Sequence, residues 1–123
     1  MMSQLPDFML KRTLSFSVPL NNMGITDLEN LKYESSNVKI FTITLRQYLG
    51  LVTIFMKIND RCNLLIDAWE SEIITAEKVL TALEIMDYYT SDHSLNNSES
   101  GFDVFYSSLE LAKELNMPVY LDF

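Results

Sequence analysis

The sequence predicts an α+β domain in which two or three helices pack on one face of a mostly antiparallel sheet. Two observations carry that prediction. Apolar residues recur at helical spacing over about residues 76–89 and 101–115, whereas the segments before residue 66 are rich in β-branched and aromatic residues. A chain of 123 residues is too short to divide into two halves that each bury a core, so residues 1–123 are expected to form one domain.

The first half is expected to supply most of the strands. Residues 8–18 are aromatic and β-branched enough for a strand, and residues 37–45 have the same character. A short helix is expected near residues 27–34, where Thr26 would cap the first turn and Glu29 would reach back to it.

Residues 51–58 give two conflicting signals. Their density of Ile, Val, Thr and Phe, together with Gly50, favours a strand. We interpret the segment as a strand, followed by a turn and a further strand over residues 62–66. The spacing of the apolar residues instead fits a helix. That helical stripe consists of Leu45, Tyr48, Leu49, Val52, Phe55 and Met56.

Two helices and a last strand are predicted in the second half. Thr75 is a good N-cap for the first helix, and Ser100 is in the position to cap the second. Asn116 can close the second helix in the left-handed conformation, and residues 119–123 alternate apolar and polar side chains, as a strand does. The apolar stripe of the first helix is Val79, Leu80, Leu83 and Met86.

The acidic charge of the chain is concentrated in its second half. The formal net charge is −8, but residues 1–66 carry seven basic and five acidic side chains, a balance of +2, whereas residues 67–123 carry two basic and twelve acidic ones, a balance of −10. This asymmetry indicates a field that steers a basic partner to the second half, unless it serves solubility alone. Nucleic acid is not an expected partner, because phosphates require clustered Lys and Arg.

The sequence offers no catalytic, cofactor or metal site. The only histidine, His93, lies in a polar stretch, and the only thiol, Cys62, lies beside a predicted strand. We therefore expect a solvated imidazole and a buried thiol rather than a base and a nucleophile. One Cys and one His are too few for a zinc site, and no glycine-rich phosphate-binding loop is present. The chain is not expected to be an enzyme.

Cysteine use and hydropathy predict a cytoplasmic protein without a membrane partner. A single cysteine excludes an internal disulfide and suits a reducing compartment. The longest nearly apolar run covers residues 49–56, far short of the roughly 20 residues that span a bilayer. Residues 1–12 lack the pattern of an export signal.

The segment LLIDAWESEII, residues 64–74, places the only tryptophan among three carboxylates. A single buried strand here would bury unpaired charges at a high cost in free energy, so we expect residues 67–72 to form an exposed turn. An exposed tryptophan flanked by charge has the composition of a binding hot spot. The alternative is a tryptophan that folds back over the core. The residues of this turn that we assign to partner binding are Asp67, Trp69, Glu70 and Glu72.

The helix that follows adds Glu77, Glu84 and Asp87 as secondary candidates for partner binding. Glu77 and Glu84 are seven residues apart and therefore align on one face of the helix, which indicates an outward acidic edge. Together with the turn they form the predicted binding site on the acidic half of the chain.

Residues 63–85, NLLIDAWESEIITAEKVLTALEI, followed by a polar stretch and by FDVFYSSLELAKELNMPVYLDF at residues 102–123, resemble the C-terminal half of small bacterial immunity proteins. These are the cytoplasmic antidotes of contact-dependent growth inhibition and related polymorphic toxin systems. The resemblance implies an inhibitor without chemistry of its own. Its implied partner is a cognate protein toxin, often a basic nuclease, which it blocks at the active site or at an exosite. No functional residue carries over position by position.

Three other functions stay open on the sequence. A phage-encoded inhibitor of a host nuclease would use the same acidic mimicry. A small enzyme would use Asp67, Glu70 or Glu72 as a carboxylate pair and would need a deep cleft around them. A structural or regulatory subunit would bury apolar surface in a homodimer, of which the sequence gives no direct indication.

Overall fold

The computed structural model of the chain describes residues 6–90 and 101–123. Within these ranges it has six helices and one four-stranded antiparallel sheet, the α+β class that the sequence predicts. The helices are α1 (Asp7–Leu10), α2 (Asn22–Glu29), α3 (Leu45–Leu49), α4 (Val52–Cys62), α5 (Ala76–Thr90) and α6 (Phe102–Leu115). The strands are β1 (Thr13–Pro19), β2 (Val38–Thr44), β3 (Glu72–Ile74) and β4 (Val119–Asp122).

The sheet has the strand order β2-β1-β4-β3, and each neighbouring pair is antiparallel. Phe16 of β1 lies opposite Phe41 of β2 and Leu121 of β4. Its buried ring contacts the rings of Phe105 and Phe123, with centroids 4.9 Å and 5.4 Å away. The core therefore lies between the sheet and α6, and α4 and α5 complete this layer because α5 packs against both α4 and α6.

A shorter helix covers the opposite face of the sheet. Ser17 is only 1% exposed although it points away from Phe16, since successive residues of a strand face opposite sides. Burial, and then the negative charge of Glu29 at the end of α2, raise the pKa of Tyr120, which is the strand partner of Ser17. The expectation that the helices lie on one face is therefore incomplete. α4, α5 and α6 share one face, and α2 lies on the other.

The prediction of a strand over residues 51–58 is wrong, because α4 begins at Val52 and covers this part of the chain. The helical periodicity prevails over the β-propensity of Ile, Val, Thr and Phe, since tertiary packing of one helix face contributes more than local propensity. The buried face of α4 consists of Ile54, Phe55, Ile58 and Cys62.

Residues 62–66 do not form the predicted strand either. Cys62 ends α4, and Asn63, with a φ of 56°, closes the helix in the left-handed conformation. The Asn59 side chain then accepts a hydrogen bond from the Ile66 N–H at 2.7 Å and donates one to the Ile66 carbonyl at 3.1 Å. One side-chain amide thus satisfies backbone groups that a neighbouring strand would otherwise satisfy.

Two elements near the start of the described chain differ from their predicted bounds. Residues 8–18 are not a single strand, because α1 precedes β1. The helix expected near residues 27–34 is α2, which begins earlier. Its cap is Asn21 rather than Thr26, since the Asn21 side chain accepts a hydrogen bond from the Gly24 N–H at 3.0 Å.

The patterns predict the remaining elements well, and β2, α5, α6 and β4 lie where they place them. Asn116 closes α6 in the left-handed conformation, and the alternation of β4 buries Val119 and Leu121. The predicted Ser100 cap lies outside the described residues. Leu80 is the exception in the apolar stripe of α5, because 52% of it is exposed.

Candidate functional site

Residues 68–70 form a turn inside the segment 67–72 where the sequence predicts one, and Glu72 begins β3. The Asp67 carboxylate accepts a hydrogen bond from the Trp69 N–H at 3.0 Å, which fixes the turn locally. The Trp69 side chain is 59% exposed. The expectation that Trp69 lies at the surface is therefore confirmed.

Arg12 lies against the ring of Trp69, with its guanidinium carbon 4.4 Å from the ring centroid. The same guanidinium donates hydrogen bonds to the carbonyls of Ala68, at 2.8 Å, and of Phe123. It therefore ties the turn to the residue that follows β4. The ring contact is a cation–π interaction, which contributes about 0.5–1 kcal/mol at an exposed site.

Glu72 holds the edge of the sheet rather than presenting a free carboxylate. β3 is an edge strand, and the Glu72 carboxylate accepts hydrogen bonds from the N–H groups of Ile73 and Leu65, both at 2.9 Å. It therefore occupies donors that another strand could have used for pairing. Glu70 is exposed and, within the described part of the chain, its carboxylate accepts no such bond.

A groove of about 750 Å³ lies between α5 and α6. Carboxylates of both helices border it, and leucine side chains contribute its apolar surface. We call it the acidic groove. Its lining residues are Leu80, Leu83, Glu84, Asp87, Tyr106, Ser107, Glu110, Leu111, Lys113 and Glu114.

The carboxylates of the acidic groove form one row on each helix. Glu84 and Asp87 belong to α5, and Glu110 and Glu114 belong to α6. The members of each pair are about one helical turn apart, or about 4.5–6 Å along the axis. Packed helices have axes about 8–10 Å apart. The groove is therefore bordered by two rows of negative charge, with Lys113 as the one lysine of its lining.

A hydrogen bond joins the two helices across the acidic groove. The Tyr106 hydroxyl donates to the Asp87 carboxylate at 2.6 Å. This bond is the main cause that raises the pKa of Tyr106 to about 12, followed by burial and by the negative charges of Asp87 and Glu110. The phenol therefore stays protonated at neutral pH and fixes Asp87 relative to α6.

The comparisons with known proteins give a likeness at the level of the fold. No protein-family model matches the sequence, and none of the curated proteins matches it significantly. Among solved structures, the Neisseria DNA mimic protein DMP12 superposes with a TM-score of 0.53 over 91% of this chain and 99% of that chain, at 20% sequence identity. The two chains share a fold.

The structure separates the residues that the sequence assigns to partner binding into two places. Glu84 and Asp87 line the acidic groove, whereas the turn residues Asp67, Trp69 and Glu70 do not. Glu72 belongs to the sheet edge. Glu77 lies in the first turn of α5, where its own backbone N–H and then the Thr75 side chain lower its pKa. The structure thus brings Glu84 and Asp87 together, but not with the other five residues.

Sequence reasoning missed the contribution of α6 to this surface. Glu110 and Glu114 are four residues apart in α6, which is the same spacing that aligns charges on one helix face. A hairpin of two neighbouring amphipathic helices would also have indicated that their polar edges meet. The sequence pattern places Leu80 in the apolar stripe of α5 and so predicts that it is buried. In the structure it is exposed and lines the groove.

The described residues contain no group of three or more His, Cys, Asp or Glu side chains arranged to hold a metal ion. Cys62 is buried, and burial raises the pKa of its thiol, so it has the character of a core residue. His93 lies outside the described residues. None of the described helices is long and apolar enough to cross a bilayer.

Proposed function

We propose that this protein is an inhibitor that binds a basic, DNA-binding protein and occupies the surface with which that protein holds DNA. The acidic groove is the observation that carries this proposal. It gathers Glu84, Asp87, Glu110 and Glu114 on two neighbouring helices, in the half of the chain whose charge balance is −10.

The grouping of the charges supports mimicry of DNA rather than a diffuse acidic surface. The groove gathers four carboxylates on two neighbouring helices, with one lysine among its lining residues. Lys and Arg side chains that are arranged to hold phosphates therefore find a local concentration of negative charge on this surface.

The fold likeness supports the same proposal. The Neisseria protein is named as a DNA mimic, and its fold covers nearly all of this chain. We extend that role to this chain because its own carboxylates are grouped on the surface between α5 and α6.

A more specific version of this proposal is that the DNA-binding partner is a protein toxin. A nuclease toxin is a protein that holds DNA or RNA with basic side chains, so an antidote that fills its nucleic-acid channel would need the same acidic surface. The resemblance of residues 63–85 and 102–123 to immunity proteins leads to this form of the proposal. The protein would then act in the cytoplasm, by occlusion and without turnover of its own.

Elution with DNA tests the proposal. The protein is immobilised, exposed to lysate of its source cell at physiological salt, and washed with a short DNA duplex. A DNA mimic is expected to release its captured partner into the duplex wash, because the partner cannot hold both. Partners that stay bound in excess duplex, and that still bind DNA while captured, would remove the mimicry proposal.

A further inference from the structure

Leu80 distinguishes the acidic groove from a plain phosphate mimic. It lines the groove and is more than half exposed. Two other leucines line the same groove: Leu83 is buried and Leu111 is half-buried. Mimicry of phosphates requires only the carboxylates. The leucines also give the groove an apolar surface beside its carboxylates. An apolar side chain of a partner can be buried on that surface.

We infer that the acidic groove binds a basic amphipathic helix of the partner, whose apolar side packs on Leu80 and whose Lys and Arg side chains pair with Glu84, Glu110 and Glu114. This inference rests on the proposed function, because it specifies the form in which the DNA-binding partner presents its basic residues. Charge complementarity is the main reason for a basic occupant, since four carboxylates and one lysine line the groove.

The shape of the surface favours a helix over an extended segment. An extended peptide binds by adding to an exposed sheet edge, where backbone N–H and C=O groups are available. The acidic groove is built from two helices, whose central backbone groups are already bonded within the helix. A third helix can pack into the space between two others through side chains alone, as ridges into grooves.

The Tyr106–Asp87 bond indicates which part of the groove receives the helix. Asp87 already accepts a bond from Tyr106, whereas Leu80 lies two turns away along α5, about 10 Å. Glu84, Glu110, Glu114 and the exposed Leu80 are thus the groove residues that we assign to contact with the partner. A helix that spans the distance from Leu80 to Asp87 needs at least about seven residues.

Two model peptides test the inference on the intact chain. The first is a helical peptide of Lys, Leu and Ala, about 14 residues long, with the leucines at i, i+3, i+4 and i+7. The second has the same composition in an order that scatters the leucines around the helix. We expect the amphipathic peptide to bind at least about tenfold more tightly by calorimetry, and we expect Leu80→Gln to remove that difference. Met56→Gln changes another exposed apolar residue, on α4 and outside the lining of the groove, and should leave the difference unchanged.

Trp69 provides an internal reporter, because it is the only tryptophan and does not line the groove. Its emission should stay unchanged when the amphipathic peptide binds. Equal affinity for the two peptides, no binding of either, or binding that ignores Leu80→Gln and shifts the Trp69 emission would each overturn the inference. None of these outcomes affects the DNA-elution experiment, which tests the proposed function separately. If the peptide result is as expected but DNA releases no partner, the proposed function alone fails.

Discussion

The guanidinium of Arg12 lies 4.4 Å from the centroid of the Trp69 ring and also donates hydrogen bonds to the carbonyls of Ala68 and Phe123. Arg12, directly before β1, thus fixes an exposed aromatic residue that is more than fifty positions away in the chain. Trp69 is therefore a surface residue with a defined position.

Trp69→Ala should cost the free protein about 2 kcal/mol, because it removes an exposed cation–π contact and the smaller, buried part of a side chain that is 59% exposed. A buried tryptophan would instead cost about 3–5 kcal/mol. Denaturant unfolding of the variant and of the wild type measures the difference. Arg12→Ala is expected to cost more than Trp69→Ala, since it also removes two hydrogen bonds of a charged group. A loss of about 3 kcal/mol or more for Trp69→Ala is what a core tryptophan would give. That result would contradict the assignment of Trp69 to the surface.

Glu72→Ala should increase self-association. The substitution leaves the N–H groups of Ile73 and Leu65 without the carboxylate that now accepts from them, at the open edge of β3. Sedimentation velocity over a range of concentrations detects the change. Glu70→Ala is the matched control, because it removes the same charge from the neighbouring turn without removing those bonds. If both variants associate equally, net charge rather than the strand edge is responsible.

The titration of Tyr106 should be displaced to high pH. The raised pKa of about 12, against 10 for an ordinary tyrosine, means that the folded state holds the phenol proton more tightly than the unfolded state. The contribution of this group to stability is therefore fully present below pH 10 and is lost as the pH rises towards 12. Absorbance titration near the phenolate band should show a late step, and Tyr106→Phe should reduce it, while Tyr33, Tyr48 and Tyr120, whose pKa values are raised mainly by burial, still titrate late in the variant. A late step that is unchanged by Tyr106→Phe would mean that the bond to Asp87 does not persist in solution.

The sequence was sufficient for the elements whose local patterns agree with their tertiary environment. In α5, α6 and β4 the apolar periodicity indicates the structure that forms, and Asn116 closes α6 as expected. The exposure of Trp69 also followed from the cost of burying the carboxylates around it. Residues 51–58 were misinterpreted because β-propensity and helical spacing disagree there, and only packing on the sheet decides between them.

The binding surface was harder to predict than the fold, because its two halves meet only through packing. Glu84 and Asp87 were identified as candidates, but their relation to Glu110 and Glu114 depends on how α5 lies against α6. The role of Glu72 was missed for a similar reason. Its acceptance of backbone bonds follows from the position of β3 at the sheet edge, which the sequence does not specify.

Association with a basic partner should slow as salt is added. Steering by the acidic half is screened over about 8–10 Å at physiological ionic strength, so the association rate constant should fall by at least about tenfold from low salt. Stopped-flow or surface-binding kinetics with the captured partner provides the measurement. A rate constant that does not depend on salt would mean that the charge asymmetry serves solubility only.

The most direct measurement compares two variants that lose the same charge in different places. In the groove variant, Glu84→Gln, Glu110→Gln and Glu114→Gln neutralise three carboxylates of the acidic groove. In the surface variant, Glu29→Gln, Glu34→Gln and Asp60→Asn neutralise three exposed carboxylates outside it. The dissociation constant of each variant with the DNA-released partner is measured at physiological salt. We expect the groove variant to bind at least about 100-fold more weakly than the wild type, close to 3 kcal/mol, and the surface variant to stay within about threefold. Equal losses in the two variants would contradict a binding surface in the groove.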